Sequence, residues 1–187
     1  MAKQGQHKLP LSPPQEGWRN AKHPRIRLAG RYGRPIHPML VPIPIGAWLA
    51  SLVFDIASRI GGPEQILYAG SYWLIAIGLI VAVAAALIGF LDLIQIPAGT
   101  HTLHIGLVHM GLNLTVVTVY IGNLLLRLAW LPEGGVPLGL IMLSGVSFIT
   151  LAFSGHLGGI LAYRYGVRVV DESAQRDGYE TDKRGAP

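Results

Sequence analysis

Apolar residues fill the chain from about position 43 to 163 in four long runs, broken by short segments rich in Pro, Gly or charge. The first run covers about 43–60 and follows the proline-rich stretch from Pro35 to Pro44. Prolines at 38, 42 and 44 lack backbone donors, so the pattern predicts an ordinary helix starting near Pro44, with His37 in irregular or kinked chain before it. The later runs cover 68–95, stopped by Pro97, then 102–130 and 137–163. At 1.5 Å per residue, about 20 residues cross a bilayer core, which predicts four transmembrane helices.

Within each run, small and polar residues recur at heptad-like spacing: Pro44, Trp48, Ser51, Asp55 and Ser58 on the first, Ser71, Gly78, Ala82, Ala85, Gly89 and Asp92 on the second. The third shows Gly106, His109, Asn113, Tyr120, Asn123 and Arg127. The fourth is small on two faces, Ser147, Ser154 and Gly158 against Gly145, Ala152, His156 and Gly159. In lipid such stripes mark helix–helix contacts, so the expected fold is an all-α, integral-membrane four-helix bundle.

Composition agrees. Charged residues make up 13% of the chain, against about 25% in a soluble domain. From Pro35 to Tyr163 they are Asp55, Arg59, Glu64, Asp92, Arg127 and Glu133 alone, too few to coat a water-soluble surface. A soluble enzyme or a nucleic-acid-binding domain is thereby excluded, despite a net charge of +5. Residues 1–34 form a basic, proline-containing arm with eight Lys/Arg, and residues 166–187 a polar tail. This bias predicts both termini, and the 96–101 connection, on the cytoplasmic side of a bacterial inner membrane. The arm has two readings: a solvated segment on the anionic membrane surface, or one docked on another membrane subunit or a second copy of the chain. The first 35 residues contain no apolar h-region, so no cleaved signal peptide is expected. With no cysteine, the chain offers no thiolate for an iron–sulfur cluster or a c-type haem.

Ionisable groups inside a membrane are costly unless paired or functional, so their depth is informative. Asp55 and Arg127, with Arg59 near them, fall toward the outer face, and the first two suggest a structural ion pair. His37, Asp92, His101, His104, His109 and His156 fall in the cytoplasmic half. Haem b needs two neutral imidazoles at matching depth on different helices. His109, about 12 Å into the third span, and His156, about 10 Å from the end of the fourth, are the candidates. A metal or proton network of His37, Asp92, His104 and Asn113 with His109 is the second option. A purely structural polar layer is the third. No serine is placed with a His and carboxylate as a hydrolase requires.

The runs GRPIHPMLVPIPIGAWLASLVFD, GFLDLIQIPAG, HMGLN and GHLGGILAYRYGVRV together resemble the bacterial membrane proteins called domain of unknown function family 2231, over about Gly33–Val169. The resemblance places His37, Pro38, Pro44, Asp55, Gly89, Asp92, His109, Asn113, Gly158 and Gly159 on motif positions and implies four spans. Some relatives are joined to cytochrome c or Rieske domains, which implies redox chemistry in the membrane. The family's closing motif usually carries an aromatic residue at the position of His156. The combined expectation is a membrane subunit or anchor associated with electron transfer, holding haem b without bond-breaking chemistry of its own. A cofactor-free accessory subunit and a proton or metal carrier are the alternatives.

Overall fold

The computed structural model describes residues 13–23, 26–129 and 135–179. Helix α1 (Pro13–Lys22) and a single 3-10 turn (Arg27–Ala29) precede a broken first span made of α2 (His37–Leu40) and α3 (Pro42–Arg59). Then come α4 (Glu64–Leu93), α5 (His101–Ala129) and α6 (Leu138–Gly159), which runs into a π-helical turn (Ile160–Arg164), and finally the short α7 (Glu172–Asp177). Four helical stretches, 37–59, 64–93, 101–129 and 138–164, are long and apolar enough to cross a membrane.

The first span begins earlier than the proline pattern predicts. Pro38 lies in the first turn of α2 and Pro42 opens α3, so both fall where a helix has no use for their missing donors. Val41 between them keeps helical dihedrals (φ −55°, ψ −36°) and donates to His37 O at 3.2 Å. His37 is therefore helical rather than irregular, at the very start of the span.

The four spans form a closed ring: α3 packs on α4, α4 on α5, α5 on α6, and α6 on α3. This leaves α3 and α5 on one diagonal. Trp48, Ile75, Leu79, Ala82, Val116, Tyr120 and Leu151 make the central core. Trp48 and Tyr120 stack across the diagonal with ring centroids 4.2 Å apart and 12° between planes. The small and polar stripe of the first span is buried throughout, while Ile80, Leu87 and Phe153 face outward, as lipid contact requires. On α6 one of the two small faces is chosen: Ser144, Ser147, Leu151 and Ser154 turn inward, and Ala152 and His156 lie on the exposed side.

Candidate functional site

Two polar layers lie above and below the Trp48–Tyr120 stack. Beyond it, toward the C-terminal ends of α3 and α5, Arg127 Nη1 and Nη2 donate to the two carboxylate oxygens of Asp55 at 3.0 and 2.5 Å. Neither side chain is exposed. Arg127 Nε also donates to Asn123 Oδ1 (2.8 Å) and Nη1 to Ser71 Oγ (3.2 Å), while Asn123 Nδ2 donates to Ser144 Oγ (3.0 Å). Tyr68 donates its hydroxyl to Arg127 O (2.9 Å). A charge pair in so dry a place is tolerable because Asn123 and Ser71 bond the guanidinium and Ser144 on α6 in turn holds Asn123. Arg59 donates to Val136 O (3.1 Å) and Ser58 Oγ accepts from Val136 N (3.3 Å), which ties the start of α6 to the end of α3.

The other layer holds the histidines. His37 and His109 approach edge to face, with centroids 6.4 Å apart and planes at 88°. His37 Nδ1 lies 2.8 Å from Ala85 O, and His109 Nδ1 lies 2.7 Å from Ser154 O. A carbonyl can only accept, so both rings carry their proton on Nδ1 and present Nε2 as a lone pair. Each ring is seated against a glycine four residues beyond its acceptor. A Cβ on Gly89 would lie 2.9 Å from His37 Cε1 and Nδ1, and one on Gly158 3.2 Å from His109 Cε1. On the His109 side, Asn113 Nδ2 lies 3.2 Å from Nε2 and donates to Ser154 Oγ at 2.6 Å and to His109 O at 2.8 Å.

These layers expose an internal repeat. His37, Trp48 and Asp55 share their spacing with His109, Tyr120 and Arg127, each pair 72 positions apart. Pro44 and Val116, then Ser51 and Asn123, keep that offset and are all buried. On α4 and α6, Ile75, Gly78, Ala82, Ala85 and Gly89 pair in order with Ser144, Ser147, Leu151, Ser154 and Gly158 at one constant offset. The bundle is thus two like helical hairpins, both running the same way across the membrane. Equivalent residues meet on a two-fold axis, and three such pairs meet here: a histidine pair, an aromatic stack and an ion pair.

The other sequence candidates go elsewhere. His156 does not reach His109. It sits two residues from both Ser154 and Gly158, which is about 200° around the helix, and lines an outward apolar hollow with Leu112, Phe153 and Leu157. His104 is exposed, and His101 lies edge-on to Tyr165 with centroids 6.1 Å apart. Asp92 is paired with Arg168, Oδ1 to Nε at 3.1 Å, and not with a histidine. Arg168 falls in the polar tail that follows the last span. Nothing in its composition signals it; the 72-residue spacing does signal His37.

The arm docks on the chain's own tail. Lys22 Nζ and His23 Nε2 meet Asp171 at 3.0 and 3.2 Å, Tyr32 Oη accepts from Asp171 N (2.7 Å), and His23 stacks on Tyr32 with centroids 4.1 Å apart. The Lys22 ammonium, bonded to it, holds the Asp171 carboxyl below the usual carboxylate range. Over 18–23 and 26–36 the arm is therefore not a wholly solvated segment but makes this intramolecular contact; residues 1–12, 24 and 25 lie outside the described part.

No curated protein and no solved structure matches the chain. A family does: residues 33–171 match the one described as "Predicted membrane protein (DUF2231)". That stretch begins at the loop leading to His37 and ends at Asp171, so it takes in both polar layers and the tail that grips the arm. The chain, with four candidate membrane spans among its described residues, belongs to this family of predicted membrane proteins of unknown function.

Proposed function

We propose that the chain is a membrane-embedded subunit for electron transfer that holds haem b between His37 and His109. The observation that carries this reading is the facing pair of imidazoles, each fixed through Nδ1 to a neighbouring span. A metal bound by two imidazole nitrogens at about 2.0 Å each places the ring centroids roughly 6 Å apart, close to the 6.4 Å found. Among the described residues no group of three or more His, Asp or Glu is gathered that could hold a bare metal ion. If haem b were bound here, His37 and His109 would be the residues that hold it. Gly89 and Gly158 leave the room that the two rings occupy, and any side chain there would displace them.

When bound, haem b would supply a one-electron couple inside the low-dielectric bundle. The residues do the rest. Ala85 O and Ser154 O fix tautomer and ring orientation and raise the basicity of Nε2, as outer partners of ligating histidines do. Asn113 Nδ2 lies 3.2 Å from His109 Nε2, but its two protons are met at shorter range by Ser154 Oγ and His109 O, which hold the amide when that lone pair is used. The basic arm supports placing this layer toward the cytoplasm of a bacterial inner membrane.

The test is the absorption spectrum of detergent-solubilised protein, oxidised and dithionite-reduced, after expression with added haem precursor. The expected result is a Soret band that sharpens and shifts on reduction, lost in His109→Ala, lost or changed to five-coordinate character in His37→Ala, and kept in His156→Ala. A featureless parent spectrum would sink the haem reading. It would select the alternative that the Asn113–His109–Ser154 bonds favour, a cofactor-free polar layer in an accessory subunit.

A further inference from the structure

His37 differs from its mate in one respect. His109 stands within the continuous 29-residue helix α5, with Ser154 and Asn113 on both its nitrogens. The equivalents of Ser154 and Asn113 on the other hairpin are Ala85 and Val41, which offer no side-chain bond. His37 opens a four-residue helix bounded by prolines and has the Ala85 carbonyl as its hydrogen-bond partner. What precedes it must therefore be held by something else.

That support is traceable bond by bond. Ala29 is fully buried, and its carbonyl accepts from Ile36 N at 3.3 Å, closing the loop that delivers His37. The loop is tight: Gly30 has φ +96°, and a Cβ there would collide with Arg34 O. The same Ala29 carbonyl accepts from Arg168 Nη2 at 2.5 Å, and Gly30 O accepts from it at 3.1 Å. Arg168 Nε stands 3.1 Å from Asp92 Oδ1, three residues along α4 from Gly89, the glycine under His37. The guanidinium thus joins the root of the loop to the helix face on which the imidazole rests. Its side chain is 6% exposed, and among the described residues it is the non-glycine residue with positive φ (63°). A long cationic side chain, buried and on left-handed backbone, is retained at a cost that only its contacts offset.

We propose that Arg168 is the positioning residue of the His37 imidazole, clamping the arm's loop to α4 so that Nδ1 meets Ala85 O and the ring stands edge to face with His109. The clamp rests on the reading of the histidine pair as a binding site for its meaning, though not for its existence. It assigns a role in the membrane site to a tail residue beyond the last span.

The test uses full-length protein and Arg168→Asn, since Asn accepts left-handed backbone and only the guanidinium is lost. Arg168→Lys is the conservative partner, keeping the charge facing Asp92 without the fork to both carbonyls. The first readout, trypsin cleavage after the exposed Arg27 and Arg31, needs no cofactor. Arg168→Asn should be cut at least tenfold faster than the parent, with Arg168→Lys between them. The second readout is the state of His37. In haem-loaded protein, Arg168→Asn should keep its haem on His109 but shift from six-coordinate low-spin to five-coordinate high-spin absorption, with partial rescue by Lys. If the parent binds no haem, the readout is the downfield Nδ1 proton of His37, assigned by its loss in His37→Ala. It should vanish in Arg168→Asn while that of His109 persists. Unchanged cleavage would overturn the clamp. Faster cleavage with an undisturbed His37 signal would overturn the positioning role, leaving Arg168 as a fastener of the tail alone. Loss of the His109 signal as well would also overturn it.

Discussion

Asp55→Asn is the sharpest probe of the axis, because it removes one charge and one acceptor from the dry layer while keeping the side chain's shape. Of the two bonds at 3.0 and 2.5 Å, Arg127 would keep one to the neutral amide oxygen and exchange the other for an NH2 facing its own N–H, while its contacts with Asn123 Oδ1 and Ser71 Oγ stay. Both partners of the pair are fully buried, so water cannot take the carboxylate's place without opening the bundle. Orphaning one member of a buried pair costs about 3–5 kcal/mol. For a chain of this size each kcal/mol moves the midpoint by about 2–4 °C, so the melting temperature should fall by roughly 6–20 °C. Thermal unfolding in detergent, followed by tryptophan fluorescence, reads this directly. Removing both charges in Asp55→Leu/Arg127→Met should recover most of the loss, since apolar replacement of a whole buried pair is often near neutral. What stays lost is the bonding of Asn123 and Ser71, about 1 kcal/mol each. A single variant melting within 2 °C of the parent, or a double variant melting below the single one, would refute the claim that the pair is held as a mutually dependent unit.

The site yields further expectations. Gly89→Ala puts a methyl 2.9 Å from His37 Cε1 and Nδ1, where carbon contacts need about 3.5–4.0 Å, so the ring must retreat by roughly 0.6–1 Å and the 2.8 Å bond to Ala85 O is broken. The spectrum should change as in His37→Ala, with Gly158→Ala milder at 3.2 Å; an unchanged Gly89→Ala spectrum would show that the ring is not seated there. The arm–tail clasp should depend on pH through Asp171. Its folded pKa is depressed, so its contribution is present above the unfolded value near 3.9 and is lost as pH falls through the lower folded value. The chain has no cysteine, so a nitroxide on Val170→Cys, whose side chain faces Gly33, reports the clasp alone. The label should be immobilised at neutral pH and become mobile as the pH falls below the unfolded value and through the depressed folded one; a label as immobile in strong acid as at neutral pH would contradict the assigned role of Asp171.

How much of this was legible depends on which coordinate the sequence encodes well. Span number was, because length and hydropathy are one-dimensional properties. The buried stripe of the first span, from Pro44 to Ser58, was also readable, since a polar residue in lipid has nowhere to go but inward. The arm's docking was not. It depends on Asp171 and Arg168, two charges in a balanced tail whose partners lie far back along the chain. The first span's early start was masked by its prolines, whose effect turns on whether they fall in a first turn.

The histidine pair shows where depth alone fails. His109 and His156 are at matching depth, and so are His109 and His37, yet ligation requires matching azimuth too. Azimuth around α6 is set by Ser154 and Gly158, both inward, and a residue midway between them must point out. The missing coordinate was present as a repeat: histidine, aromatic and charge at one spacing, twice, with opposite charges at the last position. Two hairpins that each lack a partner for their own Asp or Arg can be satisfied only by facing each other. Once Asp55 faces Arg127 on diagonal spans, equal spacing and a common helical period carry Trp48 onto Tyr120 and His37 toward His109. The ion pair at one end of the axis is therefore also what registers the imidazoles at the other.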